Sequence, residues 1–367
     1  MAPSPRRGAP AADAPADPGA PRPAATAAAP DAPRPGRRAL PPIVRHLLWA
    51  AVALAAVAAL TSVAGGLTDL RIAAVGYHLL AVAGLQLLIG LSGQVSLGHG
   101  AFMFVGAYTV ALLVLHVPAL PLWLGLLVTV AVSCAAGVLV GAATARLHGP
   151  YLAGATLTLA VGLPALAVRF PDLLGGANGL AFSTRGAPPA LAGVVDDGQW
   201  RALVVWTTVL IAMVLIATIS GGRLGRRMRA LRDDEAAAAL AGVPVGRTKV
   251  VAFVVSAGAG GLAGGCQAYL LGTATPGTFT LALSLSLLAA LVLGGFGSLW
   301  GAFWAALALV YVEVGGTELA HALDLDTDVA NNLPVVFFGV VLIVVVRVWP
   351  QGAHGAVRLL ADRVRRR

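Results

Sequence analysis

The chain has 367 residues, of which 58% are hydrophobic and 11% charged, with a mean hydropathy of +0.85. A soluble domain carries about 25% charged residues, so this composition excludes one, and the long charge-free runs define an all-α, polytopic helical membrane protein. The runs are too long and too weakly alternating for barrel strands. The net charge of +9 does not argue for nucleic acid, because the basic residues cluster in the tails and one central loop, where topology explains them. Contact with anionic membrane lipid is the secondary consequence.

Residues 1–42 are Pro, Ala, Asp and Arg with almost no large apolar side chain. They cannot bury enough surface to offset their ordering entropy and read as a disordered cytoplasmic tail. Arg37, Arg38 and Arg45 precede the first span, 47–64, and favour a cytoplasmic N-terminus. Ser62-Val63-Ala64 resembles a signal-peptidase site, but the long polar segment ahead of it favours an uncleaved helix. The second span, 70–91, contains His78 and Gln86. A lone His in a span is either a proton relay or an interhelical hydrogen-bonding group, and the second reading is preferred because no acid lies nearby in sequence.

The stretch LSGQVSLGHGAFMFVGAY, residues 91–108, is interrupted by Gly93, Gly98, Gly100 and Gly106, with Ser92, Gln94, Ser96 and His99 between them. Two compatible readings follow: a pore-lining or re-entrant break, which survives at membrane depth only beside protein or water, or a tight helix–helix contact between small residues. Spans at 99–117, 121–145 and 151–169 come next, with a turn at Arg146 and His148; the last contains Thr156, Thr158 and Pro164. The loop 170–201 lacks a basic excess and is placed outside. The span 202–220 leads into the central loop. Further spans lie at 250–271, where Gly258, Gly260, Gly261, Gly264 and Gly265 offer a close-packing face, and at 281–294, 302–315 and 333–348. A second glycine break, GGFGSLWG, occupies 294–301, and an acidic loop with Glu318, Asp324, Asp326 and Asp328 follows 315. Cys134 and Cys266 lack metal-ligand spacing and read as small core residues. No metal or cofactor site is expected.

The central loop, 221–249, carries Arg223, Arg226, Arg227, Arg229, Arg232, Arg247 and Lys249 against Asp233, Asp234 and Glu235. The positive-inside rule places it in the cytoplasm. Its Ala-rich stretch predicts a helix over 229–242, ended by Gly242 with Pro244 beyond. Such a helix is either a solvated connector or a docking element for a soluble partner. Ten spans put both termini and this loop inside and the acidic loops outside, in agreement with every charge signal. Lys249, the only lysine, is followed by Val250, so the chain has no Walker A loop.

These motifs resemble the LivM-type permease of branched-chain amino acid ABC importers. LSGQVSLGHGAFMFVGAY, GPYLAGATLTLA, LLGGANGL, GRRMRALRDDEAAAALAGVPVGRTKVVAFVVSAGAGGLAGG and LVLGGFGSLWGAF carry the likeness, in the family's order, over residues 70–315. The resemblance implies a transport subunit of the bacterial plasma membrane that is not itself an enzyme. It implies as partners a second, LivH-type permease, cytoplasmic ABC ATPases and an extracytoplasmic substrate-binding protein. It assigns ATPase coupling to Arg229, Asp233, Asp234, Glu235, Ala236, Ala239 and Gly242, although Gly242 lies seven residues after Glu235 where the family's EAA pattern has six. Candidate pathway residues are Ser92, Gly93, Gln94, Ser96, Gly98, His99, Thr156, Thr158, Asn178, Gly294 and Gly295. The chain then divides into the tail 1–42, a permease domain 43–350 and a basic cytoplasmic tail 351–367. Urea and amide importers share these motifs, and a stand-alone secondary transporter is the rival from another class.

Overall fold

The computed structural model describes residues 41–348 except 146, 148, 149, 190, 192, 325 and 326, together with 352, 353 and 355. The expected tails, Arg146, His148 and Asp326 lie wholly or largely outside these residues.

Ten long helices form the body: α1 Pro42–Ala64, α2 Leu67–Leu85, α3 His99–His116, α4 Leu122–Thr144, α5 Pro150–Arg169, α7 Asp197–Gly221, α10 Val245–Leu271, α11 Leu281–Gly294, α12 Leu299–Ala322 and α13 Thr327–Val348. Three short helices, α6 Pro171–Leu174, α8 Arg223–Asp233 and α9 Glu235–Leu240, lie between them. Among the described residues, nine helical spans are long and apolar enough to cross a membrane, and α13 contributes a shorter apolar stretch, Val336–Val348. The chain is therefore a polytopic helical membrane protein.

Several helices start earlier than their apolar cores. α1 begins at Pro42, a residue suited to the first helical turn, where its missing N–H has no partner to lose. α7 begins at Asp197 because the Asp196 side chain caps it, accepting from Gln199 N at 2.7 Å. α12 runs on past 315 to Ala322 and takes Glu313 and Glu318 into the helix. Hydropathy finds the greasy middle of a span, whereas caps decide where it begins.

The bundle is organised around α10, which packs against α2, α3 and α4. Its most apolar window is 72% buried, against 11% for α1, which lies at the periphery along α7. The glycine face predicted for α10 makes this possible. A Cβ at Gly264 would overlap the Met103 backbone, and one at Gly265 would sit 3.0 Å from the Val110 side chain, so glycine lets α10 and α3 approach to backbone contact. Cys134 and Cys266 are free thiols in this packing; Cys134 lies against Gly258.

The helices alternate in direction between two ends. The basic end gathers the 86–99 segment, α8, α9 and the α11–α12 turn. The opposite end carries a two-stranded ribbon, β1 Leu180–Ala181 antiparallel to β2 Thr273–Ala274. The ribbon ties the 170–196 loop to the end of α10, helped by Tyr269 donating to the Arg185 carbonyl at 3.2 Å and Arg201 donating to the Leu270 carbonyl at 3.2 Å.

Candidate functional site

The first glycine break is both a break and a tight contact. α2 widens into a π-helical turn, Gln86–Leu91. Such turns leave backbone groups needing new partners. Residues 92–98 are then non-helical, and burial alternates along them: Ser92, Gln94, Ser96 and Gly98 are buried while Gly93 and Val95 are exposed. The backbone here is irregular rather than a strand: Ser92 is still near helical geometry and Gly93 has φ +71°. The buried polar side chains bond to nearby backbone and to one another, as buried polar groups must. Ser92 Oγ donates to the Leu88 carbonyl at 2.6 Å, and Gln94 Nε2 donates to Ser92 Oγ at 2.9 Å. Thr156 of α5 accepts from Leu97 N at 2.9 Å. A Cβ at Gly98 would lie 3.1 Å from the Thr156 carbonyl carbon. His99 opens α3 well inside the bundle: its buried ring packs against Gly84 of α2 and Gly260 of α10. The first turn of α3 meets the first turn of α11, with Gly100 N donating to Ser284 Oγ at 3.0 Å.

The second break, between α11 and α12, is formed by Gly295 (φ +95°) and Gly297 (φ +79°), conformations that L side chains rarely adopt. One side chain joins it to the first. Gln86 Nε2 donates to the Gly295 carbonyl at 2.5 Å and the Ser298 carbonyl at 3.2 Å, while Gln86 Oε1 accepts from Gly297 N at 2.9 Å. The breaks, 200 residues apart in sequence, are thus one hydrogen-bonded unit.

The basic loop grips this unit. Arg232 of α8 donates from Nη1 to the Gly90 carbonyl in the π turn at 2.7 Å. A Cβ at Gly93 (φ +71°) would come 3.0 Å from Arg232 Cγ. A charged hydrogen bond of this kind contributes about 1.5–3 kcal/mol. α8 is further held by buried Met228 and Leu231 and by Arg229 donating to the Ser220 carbonyl at 3.1 Å.

The single helix expected over 229–242 is two. Asp234 leaves helical geometry (φ −158°, ψ 114°), and its side chain accepts from Ala236 N at 2.8 Å and Ala237 N at 2.9 Å. Helix propensity favoured continuity, but a capping Asp satisfies two amides that begin a new helix. Gly242 ends α9 as expected (φ +81°): Val243 N reaches the Ala238 carbonyl and Gly242 N the Ala239 carbonyl, both at 3.0 Å. α9 buries only Ala238, and Leu240 is 92% exposed. Glu235 faces inward, its Oε1 2.7 Å from Lys249 Nζ, whose side chain is 7% exposed.

The structure brings Ser92, Gly93, Gln94, Ser96, Gly98, His99, Thr156, Gly294 and Gly295 into or beside the two breaks. It does not bring Thr158, which faces outward and bonds its own helix at the Gly154 carbonyl, or Asn178, exposed in a turn by the ribbon. Sequence reasoning missed Arg232, Gln86 and Lys249 as organising groups. Their signal was present: an amide inside an apolar span one turn before Gly90, and a lone lysine at the start of another.

Broken helices locked together inside a bundle, with an anchored and an exposed helix at one end, make this a polytopic helical membrane protein with a discontinuous core. The profile of the branched-chain amino acid transport system permease component family matches residues 67–346, and the chain belongs to that family. It is similar to the high-affinity branched-chain amino acid transport system permease protein LivM of Salmonella typhimurium, 35% identical over 62% of this chain and 58% of that protein. It is similar to LivM of Escherichia coli, 33% identical over 72% of this chain and 67% of that one. Similarity extends to LivH of Salmonella typhimurium, 25% identical over 76% of this chain and 91% of that protein. The chain thus spans between about 58% and 67% of the length of the LivM proteins it matches. No solved structure matches it.

Proposed function

We propose that the chain is the membrane-spanning permease subunit of an importer for branched-chain or related amino acids, driven by separate ATPase subunits. The observation that carries this is the hydrogen bond from Arg232 to Gly90. It ties a helix pair with an unpartnered face to the π turn that also holds the second break through Gln86. A soluble ATPase that docks on Ala236, Ala239, Leu240 and Gly242 would then move both breaks by moving α8. Closure of the ATPases is converted into a change of access in the spans. Hydrolysis belongs to those partners, in keeping with the missing Walker A loop. A second, LivH-like permease completes the membrane unit, and an extracytoplasmic binding protein delivers the substrate.

The orientation follows from charge. Arg45, Arg223, Arg226, Arg227, Arg229, Arg232, Arg247, Lys249 and Arg347 lie at the helix ends of the basic end against Asp233, Asp234 and Glu235, whereas at the other end Arg71, Arg169, Arg185 and Arg201 are outnumbered by Asp69, Asp172, Asp196, Asp197, Glu318 and Asp324. The basic end is cytoplasmic, with both termini inside, in the plasma membrane.

The test is uptake into proteoliposomes containing this chain with its partner permease, ATPases and binding protein. Leucine accumulation that requires ATP is expected. Accumulation by this chain alone, driven by a proton gradient without ATP, would establish a secondary transporter instead.

A further inference from the structure

A cleft of about 500 Å³ opens between α2 and α12 near the ribbon end, with the end of α10 as its third wall, within the ~300–1,000 Å³ usual for small-molecule sites. Two helix stripes face each other across it. Arg71, Ala74 and His78 follow one another at spacings of three and four on α2, and on α12 Glu313 and Val314 lie three and four residues after Val310, with Thr317 four and three after them. Those spacings place each set on one helical face. The sequence suggested no acidic neighbour for His78; the fold places Glu313, more than 200 residues away, in the lining of the same cleft.

The charged groups are ordered along the cleft. Arg71 and Glu318 bridge the two helices at the ribbon end, Nη2 to Oε1 at 3.5 Å. His78 lies two turns deeper on α2. Its Nδ1 is 3.0 Å from the Ala74 carbonyl. A carbonyl only accepts, so Nδ1 carries a proton, and in the neutral ring Nε2 is the acceptor. Glu313 lies nine residues before the end of α12, about 13 Å along the helix at ~1.5 Å per residue. It is exposed on the isolated chain. A carboxylate at that depth faces water or protein rather than lipid.

We propose that this cleft holds the zwitterion of an aliphatic amino acid on its way through the permease; the proposal rests on the importer reading above. The α-carboxylate pairs with Arg71, and the α-ammonium donates to Glu313 and to His78 Nε2. The aliphatic side chain lies against Leu70, Leu270, Val310 and Val314. A cleft with one sign of charge would suit an ion, and a purely apolar one a lipid tail. This one offers both signs across apolar walls. The Arg71–Glu318 pair is solvent-exposed, and such pairs are weakly held, so an entering carboxylate displaces Glu318 from Arg71.

Leu271, which lines the cleft and is half-exposed, is the reporter. The assembled importer carrying Leu271→Cys is labelled with a water-soluble maleimide, the rate of the parent with native Cys134 and Cys266 being subtracted. Leucine is expected to slow labelling several-fold. Leucinamide, which lacks the carboxylate, and 4-methylpentanoate, which lacks the ammonium, are expected not to. Glu313→Gln is expected to remove the protection. ATP-driven leucine uptake without protection by leucine overturns the cleft assignment and leaves the importer reading standing. Equal protection by all three compounds also overturns it. Loss of the partner permease from purified Glu313→Gln complexes would make Glu313 a subunit contact and overturn the ligand assignment. Absence of any ATP-driven uptake of aliphatic amino acids by the parent would sink the importer reading itself.

Discussion

Helices α8 and α9 are consecutive in the chain, both made of good helix formers, and held in opposite ways. α8 is fastened to the bundle: Met228 and Leu231 are buried, Arg229 reaches the end of α7, and Arg232 reaches Gly90. α9 touches the bundle through Ala238 and the Glu235–Lys249 pair and leaves the rest of its surface open. Asp234 separates them. A single continuous helix would have to be either anchored or available along its whole length. Splitting it lets one half be seated on the broken helices while the other half is offered to a partner. The contrast assigns different jobs to neighbouring residues that helix propensity alone would join into one helix.

The largest effect is expected where the first break, on which α8 is seated, is overpacked. Gly98→Leu drives a side chain into the Thr156 backbone, which has no freedom to yield, and overpacking of this sort costs about 1–3 kcal/mol or more. Gly93→Leu adds backbone strain at φ +71° and pushes on Arg232. Both variants are expected to insert in the membrane and to lose uptake. Gly162→Leu is the control, because open space surrounds that glycine on α5. Uptake at the wild-type level in both break variants would remove the breaks from the transport cycle.

The next pair of variants separates the two helices directly. Arg232→Met keeps the packing stem and removes the hydrogen bond to Gly90, a loss of about 1.5–3 kcal/mol. ATPases should still co-purify, while coupled uptake falls roughly ten-fold or more, since 1.4 kcal/mol corresponds to about ten-fold. Leu240→Asp places a charge on the exposed tip of α9 and should do the reverse at the first step, releasing the ATPases from the complex. The measurement is ATPase recovery alongside vesicle uptake. If both variants behave alike in recovery, the division of labour between α8 and α9 is wrong.

The parts of this arrangement that were legible in the sequence are those set by local chemistry. Apolar run length located the spans, positive φ was readable from Gly242, and glycine clusters marked both breaks. What was illegible depended on long-range pairing. Gln86 looked like an isolated amide, and only the fold puts it beside Gly295 and Gly297. Glu235 looked like a free charge for a partner, and the fold turns it onto Lys249. Ser92, Gln94 and Ser96 are buried in the fold and bond to one another and to nearby backbone, a local arrangement that the sequence left open. Asp234 is an intermediate case. An Asp followed by an Ala-rich run is a capping signal, but it lay within a stretch whose propensity favoured an unbroken helix.

The smallest expected effect tests that residue. In Asp234→Ala the cap is lost, and the amides of Ala236 and Ala237 lose their acceptor. Cap removal costs about 0.5–2 kcal/mol, too little to unfold the protein. Alanine, the strongest helix former, then removes the reason for the break, and α8 can continue into α9. A continuous helix would swing the exposed face away from the position it takes from Pro244 and the Lys249 pair. Hydrogen exchange distinguishes the outcomes. If α8 and α9 fuse, the amides of Ala236 and Ala237 stay protected by bonds to residues four earlier, including Arg232 and Asp233, and uptake falls while the ATPases remain bound less firmly. If α9 only frays, those amides exchange faster, and uptake falls in proportion to the fraying. Wild-type exchange together with wild-type uptake would mean that the break at Asp234 does not depend on its side chain. The separation between an anchored and an offered helix would then have to come from the chain's fixed attachments at Arg232 and Lys249.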